Sequence, residues 1–131
     1  MTGGEVELIV VDAANVVGSR PDGWWKDRPG AARRLLDKLP RLHTTLGRPV
    51  EILVVLEGAA KAAVSDGEEF EGIRLVSAER SGDDAIVDVV AAAADGSRHI
   101  TVVTADRGLR ERVEAHRAET VGPRWLLDLI D

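Results

Sequence analysis

Residues 99–106 read HITVVTAD, an almost unbroken apolar run that closes on an acid. An uninterrupted run is what a strand covered on both faces needs, because neither side of its pleat meets water. ILVVL at 52–56 has the same character, and ELIVVD at 7–12 closes on Asp12 as HITVVTAD closes on Asp106. Strands are expected near residues 6–11, 50–56, 72–77 and 99–104. Alanine-rich or amphipathic segments separate them, and that alternation marks repeated βα units. The expected fold class is α/β, three layers with a mostly parallel central sheet of four to five strands, in one domain over residues 1–131.

Helix signals fall between these runs. The first helix is expected to open around Asp27 to Pro29, where an acid and a proline suit a helix start, and to run through Leu39 until Pro40 ends it. Leu35, Leu36 and Leu39 then share a face, with Arg33, Arg34, Asp37 and Lys38 in water. A second is expected over Ala59 to Val64, stopped by Ser65-Asp66-Gly67. Ser81 is expected to cap a third through Ala94, with Asp95-Gly96 closing it. A fourth should run from Arg107 to about His116, and a fifth from Pro123 to Ile130, packing Trp125, Leu126 and Leu129. The stretch NVVGSRPDGWWKDRPG at 15–30 reads as an irregular insertion because of its glycines and prolines.

Composition narrows the function classes. At 131 residues the chain can bury about two-thirds of its unfolded surface. It has no cysteine, which excludes disulfides and thiolate metal sites and fits a reducing compartment. His43, His99 and His116 are too widely spaced for a short zinc motif. The opening MTGGEVELIV is acidic where a signal peptide is basic, and no apolar run approaches the roughly 20 residues of a membrane span, so a cytoplasmic, membrane-free protein is expected. The net charge of −6 argues against a nucleic-acid coat protein, whose surface is broadly basic. An enzyme whose acids hold cations escapes that objection.

The carboxyl ends of parallel strands share one edge, so Asp12, Asp83, Asp84 and Asp106 are expected to converge there. Such acids repel and raise one another's pKa, and a divalent cation is the simplest way to keep them ionised together. These four are the candidate catalytic and metal-binding residues. Each has a local alternative: a turn residue for Asp12, a helix-start acid for Asp83 and Asp84, an N-cap for Asp106. Small Ala13 and Ala14 admit close approach to the backbone. Asn15 is expected to bond Asp12 or a metal-bound water, and Thr104 to orient Asp106. Asp88 lies one turn deeper, where solvent contact or a structural bond is as plausible as metal binding. Glu57 either joins the acids or caps the next helix. Trp24 and Trp25 offer a stacking platform with Arg20, Lys26 and Arg28 beside it for phosphates, the alternative being a minor core under the loop. Arg107 and Arg110 are further phosphate-binding candidates.

Three motifs, VVDAANV, SGDDAIVDVV and VVTADRGLRERV, span the chain from near its start to near its finish. In order and spacing the chain resembles the NYN family of PIN-like nucleases, in particular the bacterial branch related to the YacP type. That resemblance implies a PIN-like, Rossmannoid α/β/α fold with an acidic site for Mg²⁺ or Mn²⁺, often used to cleave RNA to a 5′-phosphate and a 3′-hydroxyl. It carries the metal role to Asp12, Asp83, Asp84 and Asp106 and a supporting role to Asn15. The chain departs from the family at Ala13-Ala14, where a glycine and an aromatic often stand, and its WWKDR loop falls outside the motif.

Three functions follow. One is a metal-dependent ribonuclease using metal-activated water. The others are a nucleoside triphosphate pyrophosphohydrolase using the same acids and an inactive RNA-binding module. RNA or a nucleotide is the expected partner, with a homodimer left open. There is no GxxxxGK[ST] or GxGxxG phosphate loop. Ala14 stands where a haloacid dehalogenase needs its second acid, and Val10 and Val11 where a response-regulator receiver needs acids.

Overall fold

In the computed structural model, which describes residues 6–65, 67–94 and 98–131, β1 (Glu7–Asp12) is the middle strand of a five-stranded sheet. β2 (Val50–Leu56) and then β3 (Ile73–Ser77) lie to one side of it, β4 (Ile100–Val103) and β5 (Glu119–Val121) to the other. Every pairing is parallel. The register sets Asp12 beside Val55 and Val11 beside Val103, so the strands end together.

Period-two alternation divides the core. Ile9 and Val11 face a cluster with Leu36, Leu39, Leu42, Leu126 and Ile130, whereas Leu8 and Val10 face Ile86, Val90, Leu109 and Val113. The first layer comprises α1 (Ala13–Gly18), α2 (Arg28–Lys38), α3 (Arg41–Leu46) and α6 (Pro123–Ile130). The second comprises α4 (Gly82–Ala93) and α5 (Arg107–Glu114). Both faces of the sheet are therefore covered, which explains why its central strands tolerate no polar alternation. Among the described residues no helix is long and apolar enough to cross a membrane.

Local signals place most elements. Asp27 caps α2 by accepting the Gly30 N–H at 3.0 Å, with Pro29 in the first turn, and Ser81 caps α4 by accepting the Asp84 N–H at 3.2 Å. α6 has the expected bounds, though Pro123, Leu126, Leu127 and Ile130 are its buried residues and Trp125 and Leu129 only partly so.

Several expectations need correction. The segment after β1 is not irregular throughout: α1 forms at once, capped by Asp12, and ends at Gly18. α2 ends at Lys38 with Leu39 as its C-cap, so Pro40 does mark its end as expected, but an unexpected helix, α3, begins directly behind that proline. α3 stops at Gly47, whose φ of 65° is left-handed. Gly58–Ala63 is a 3₁₀ turn and not an α-helix, and α5 ends two residues before His116. β5 was absent from the expected strands, being only three residues long with Glu119 exposed. The stops expected at Asp66 and at Asp95-Gly96 fall on residues outside those described.

The chain moves outward from β1 through β2 to β3, then returns to the other side of β1 as β4. At such a reversal the connections leave in opposite directions, and a crevice opens at the carboxyl ends of β1 and β4.

Candidate active site at the carboxyl edge of the sheet

Asp12 lies at that edge, 5 % exposed, at the joint of β1 and α1. Its two oxygens are held separately: Oδ1 accepts the Asn15 backbone N–H at 3.3 Å and Oδ2 the Thr104 hydroxyl at 2.9 Å. The contact expected from the Asn15 side chain is thus made by its backbone. The Asn15 side chain instead accepts the Ala105 N–H at 2.8 Å, tying α1 to the segment after β4. Fully buried Thr104 also accepts the Asp106 N–H at 3.2 Å, so one hydroxyl links both strand-end acids.

Burial pushes the Asp12 carboxyl up to about 6; the Thr104 and Asn15 bonds oppose this, and the Asp83 and Glu57 charges add to it. Asp83 is also raised, first by burial, then by the charges of Asp106 and Glu57, with Arg112 opposing. Asp83 is therefore the electrical hub of the edge, coupled to Asp12, Asp106 and Glu57. Glu57 does not cap the turn behind it; its Oε2 accepts the Gly82 N–H at 2.8 Å, which holds it against the start of α4. Asp106 is exposed and caps α5 through the Leu109 N–H at 3.0 Å, and its charge also reaches Asp83.

Asp84 stands apart. It pairs with Arg112 at 2.9 Å across α4 and α5 and lines, with Asp88, an open cavity of about 500 Å³ whose wall includes neither Asp12 nor Asp106. The i, i+4 spacing of Asp84 and Asp88 did predict their shared stripe, and the Asp84 charge still adds to the rise of the neighbouring Asp83 carboxyl. Among the described residues no three His, Asp or Glu side chains are arranged as they stand to hold an ion. What the edge supplies is a set of mutually repelling carboxylates, all hard oxygen donors, two of them partly desolvated. That chemistry suits Mg²⁺ or Mn²⁺, since Mg²⁺ commonly takes one or two carboxylates and completes its shell with water and phosphate.

Beside the acids an open groove of about 700 Å³ runs between α1 and α6. Asn15 and Ala105 line its inner end, and Arg20, Trp24, Arg124 and Leu127 its walls. Trp24 is half-buried, with the Arg28 guanidinium 5.4 Å from its ring centre and Trp25 edge-on at 6.1 Å. Trp25 is 57 % exposed, so the pair divides between a small loop core and a free ring. Lys26 and Arg107 are exposed. Arg110 is committed to the scaffold, its Nε donating to the Thr104 carbonyl at 2.8 Å. Arg20 pairs with Asp131. Sequence reasoning missed Arg112 and Arg124. Arg112 lies inside the VVTADRGLRERV motif but was given no role, and Arg124 sits in a helix legible only by its apolar face.

No family model and no curated protein matches the chain. Its fold is shared with Rae1 (YacP) from Bacillus subtilis. The crystal structure of that protein superposes with a TM-score of 0.77 at 18% identity, covering 95% of this chain and 74% of that one. A tryptophan-to-leucine mutant of Rae1 gives 0.72 at 19% identity, covering 95% and 75%. The likeness is one of fold, and it reaches the same YacP type that the three motifs resemble.

Proposed function

We propose that the chain is a divalent-metal-dependent phosphodiesterase that cleaves RNA by activating water. The observation that carries this reading is the clamped, desolvated Asp12 at the β1–β4 crevice, electrically coupled to Asp83 and Glu57. An enzyme gains nothing by burying a repelled carboxylate unless a cation or proton offsets its charge. The YacP-like fold and the motif resemblance support the same choice. Mg²⁺ or Mn²⁺ bound here supplies an acidified water and positive charge for the phosphate oxygens.

The chain's own groups do the remainder. Asp12 is held in one orientation by Thr104 and the Asn15 N–H, and Asp83 and Asp106 bring the second and third charges. Glu57, fixed by Gly82, completes the negative field. In this reading exposed Arg107, at the start of α5, meets a flanking phosphate and exposed Trp25 stacks on a base. Action on RNA in the cytoplasm belongs to this reading.

The test is labelled single-stranded RNA incubated with Mg²⁺ or Mn²⁺, with EDTA as control. Asp12→Asn and Asp106→Asn are expected to abolish divalent-dependent cleavage while the far-ultraviolet spectrum is unchanged. Full activity in both variants defeats the assignment, and pyrophosphate release from nucleoside triphosphates, without RNA cleavage, transfers the site to that substrate.

A further inference from the structure

Arg20 separates the groove beside the acids from a recess of about 190 Å³ against α2, whose wall also carries Arg34 and Lys38 and one acid, Asp22. Arg20 belongs to both walls. At this junction Oδ1 of Asp131 accepts from Arg20 Nη2 and from Lys38 Nζ, the latter at 3.2 Å. One carboxylate oxygen bracketed by a guanidinium and an ammonium reproduces the surroundings of a phosphate oxygen. The Arg20 hydrogen bond holds the Asp131 carboxyl below its ordinary range, and Lys38 adds to that pull, as expected where cations favour an anion. The side chains of all three residues are one-third to two-fifths exposed, so the bridge is held weakly and open to exchange.

We propose that Arg20 and Lys38 form a phosphodiester seat for a single RNA strand lying in the groove, and that Asp131 occupies this seat until the strand displaces it. The ligand class rests on the function proposed above, but the seat is testable without turnover. Several features favour a single strand. The groove is of a size that holds small ligands, roughly 300–1,000 Å³. Its walls alternate apolar surface, Trp24 and Leu127, with cations, Arg20 and Arg124. Unstacked bases can meet the former and phosphates the latter, whereas a duplex keeps its bases inside. Arg124 approaches Asp128 at 3.7 Å with 87% of its side chain in solvent, so it is free to turn toward a strand.

The experiment is fluorescence anisotropy of a labelled oligouridylate of about ten nucleotides, within the usual span of single-strand sites, in EDTA at fixed salt. Asp131→Asn is expected to raise affinity about five-fold, and Arg20→Gln or Lys38→Gln to lower it about three- to ten-fold, because each changes one phosphate contact. In a background carrying both Arg20→Gln and Lys38→Gln, Asp131→Asn should then change nothing. Glu119→Gln, which removes one charge at the far edge of the sheet, should leave binding as it was. Unchanged or weaker binding by Asp131→Asn, an equal gain in the background lacking both cations, or no binding by the native chain overturns the seat. Loss of the nuclease reading alone, with this binding pattern intact, leaves the seat standing.

Discussion

Asp12 ends β1 out of water, and its carboxyl sits at about 6 where 3.8 is ordinary. Between those values the folded chain holds a proton that the unfolded chain has released, so stability falls as pH rises from about 4 to about 6. Above that window the ionised group costs on the order of 3 kcal/mol. Asp12→Asn removes the charge but keeps an oxygen for one donor, and is expected to stabilise the fold by about 1–3 kcal/mol at pH 7, the gain vanishing near pH 4. Denaturant unfolding across that range measures it, and an equal effect at both ends would show that burial of the charge is not its cause. Added Mg²⁺ should raise the unfolding temperature of the native chain and not that of Asp12→Asn. The position of Asp12 was readable, because an acid closing an apolar run is a local event. Its partner Thr104, 92 residues away, was not readable as such, and was expected beside Asp106 alone.

α5 shows how one side chain serves an element and a site together. Asp106 satisfies an N–H at the helix start while its charge reaches Asp83. Asparagine caps as well as aspartate, so Asp106→Asn should change stability by no more than about 0.5 kcal/mol, whereas Asp106→Ala should cost about 1 kcal/mol. Both should lose RNA cleavage. Chemical denaturation beside a cleavage assay separates cap from charge, and activity retained by Asp106→Asn would confine the residue to capping. In α4 the capping is done by Ser81, which leaves Asp83 available to the crevice. Caps of this kind made α2, α4 and α5 legible. α1 and α3, six residues each, are too short to show a helical period and are flanked by glycine or proline, so nothing local announced them. β5 failed for the same reason of length.

Across the whole molecule, stability should decline from the sheet's centre to its edges. β1 is paired on both sides and Leu8 to Val11 are buried, while β3 and β5 are edge strands with partly exposed residues. Native-state hydrogen exchange is expected to find the β1 amides slowest, β2 and β4 next, and β3 and β5 fastest; protection of β5 equal to that of β1 would contradict this order. The sequence by itself determined four strands, the caps of the longer helices and an acid at the end of β1 and beyond β4, because each depends on neighbours along the chain. That these acids stand at one edge followed from the parallel sheet, which the apolar runs already implied. Only the tertiary structure decided how the acids are held: Glu57 joins their field through a bond to Gly82, 25 residues on, and Asp84 is paired with Arg112. It also decided that α1 and α6 leave a groove beside the acids, with Asp131 bridging Arg20 and Lys38 at its margin. Those outcomes turn on the rotation of each helix against the sheet and on pairs separated by up to 111 residues, which no local pattern encodes.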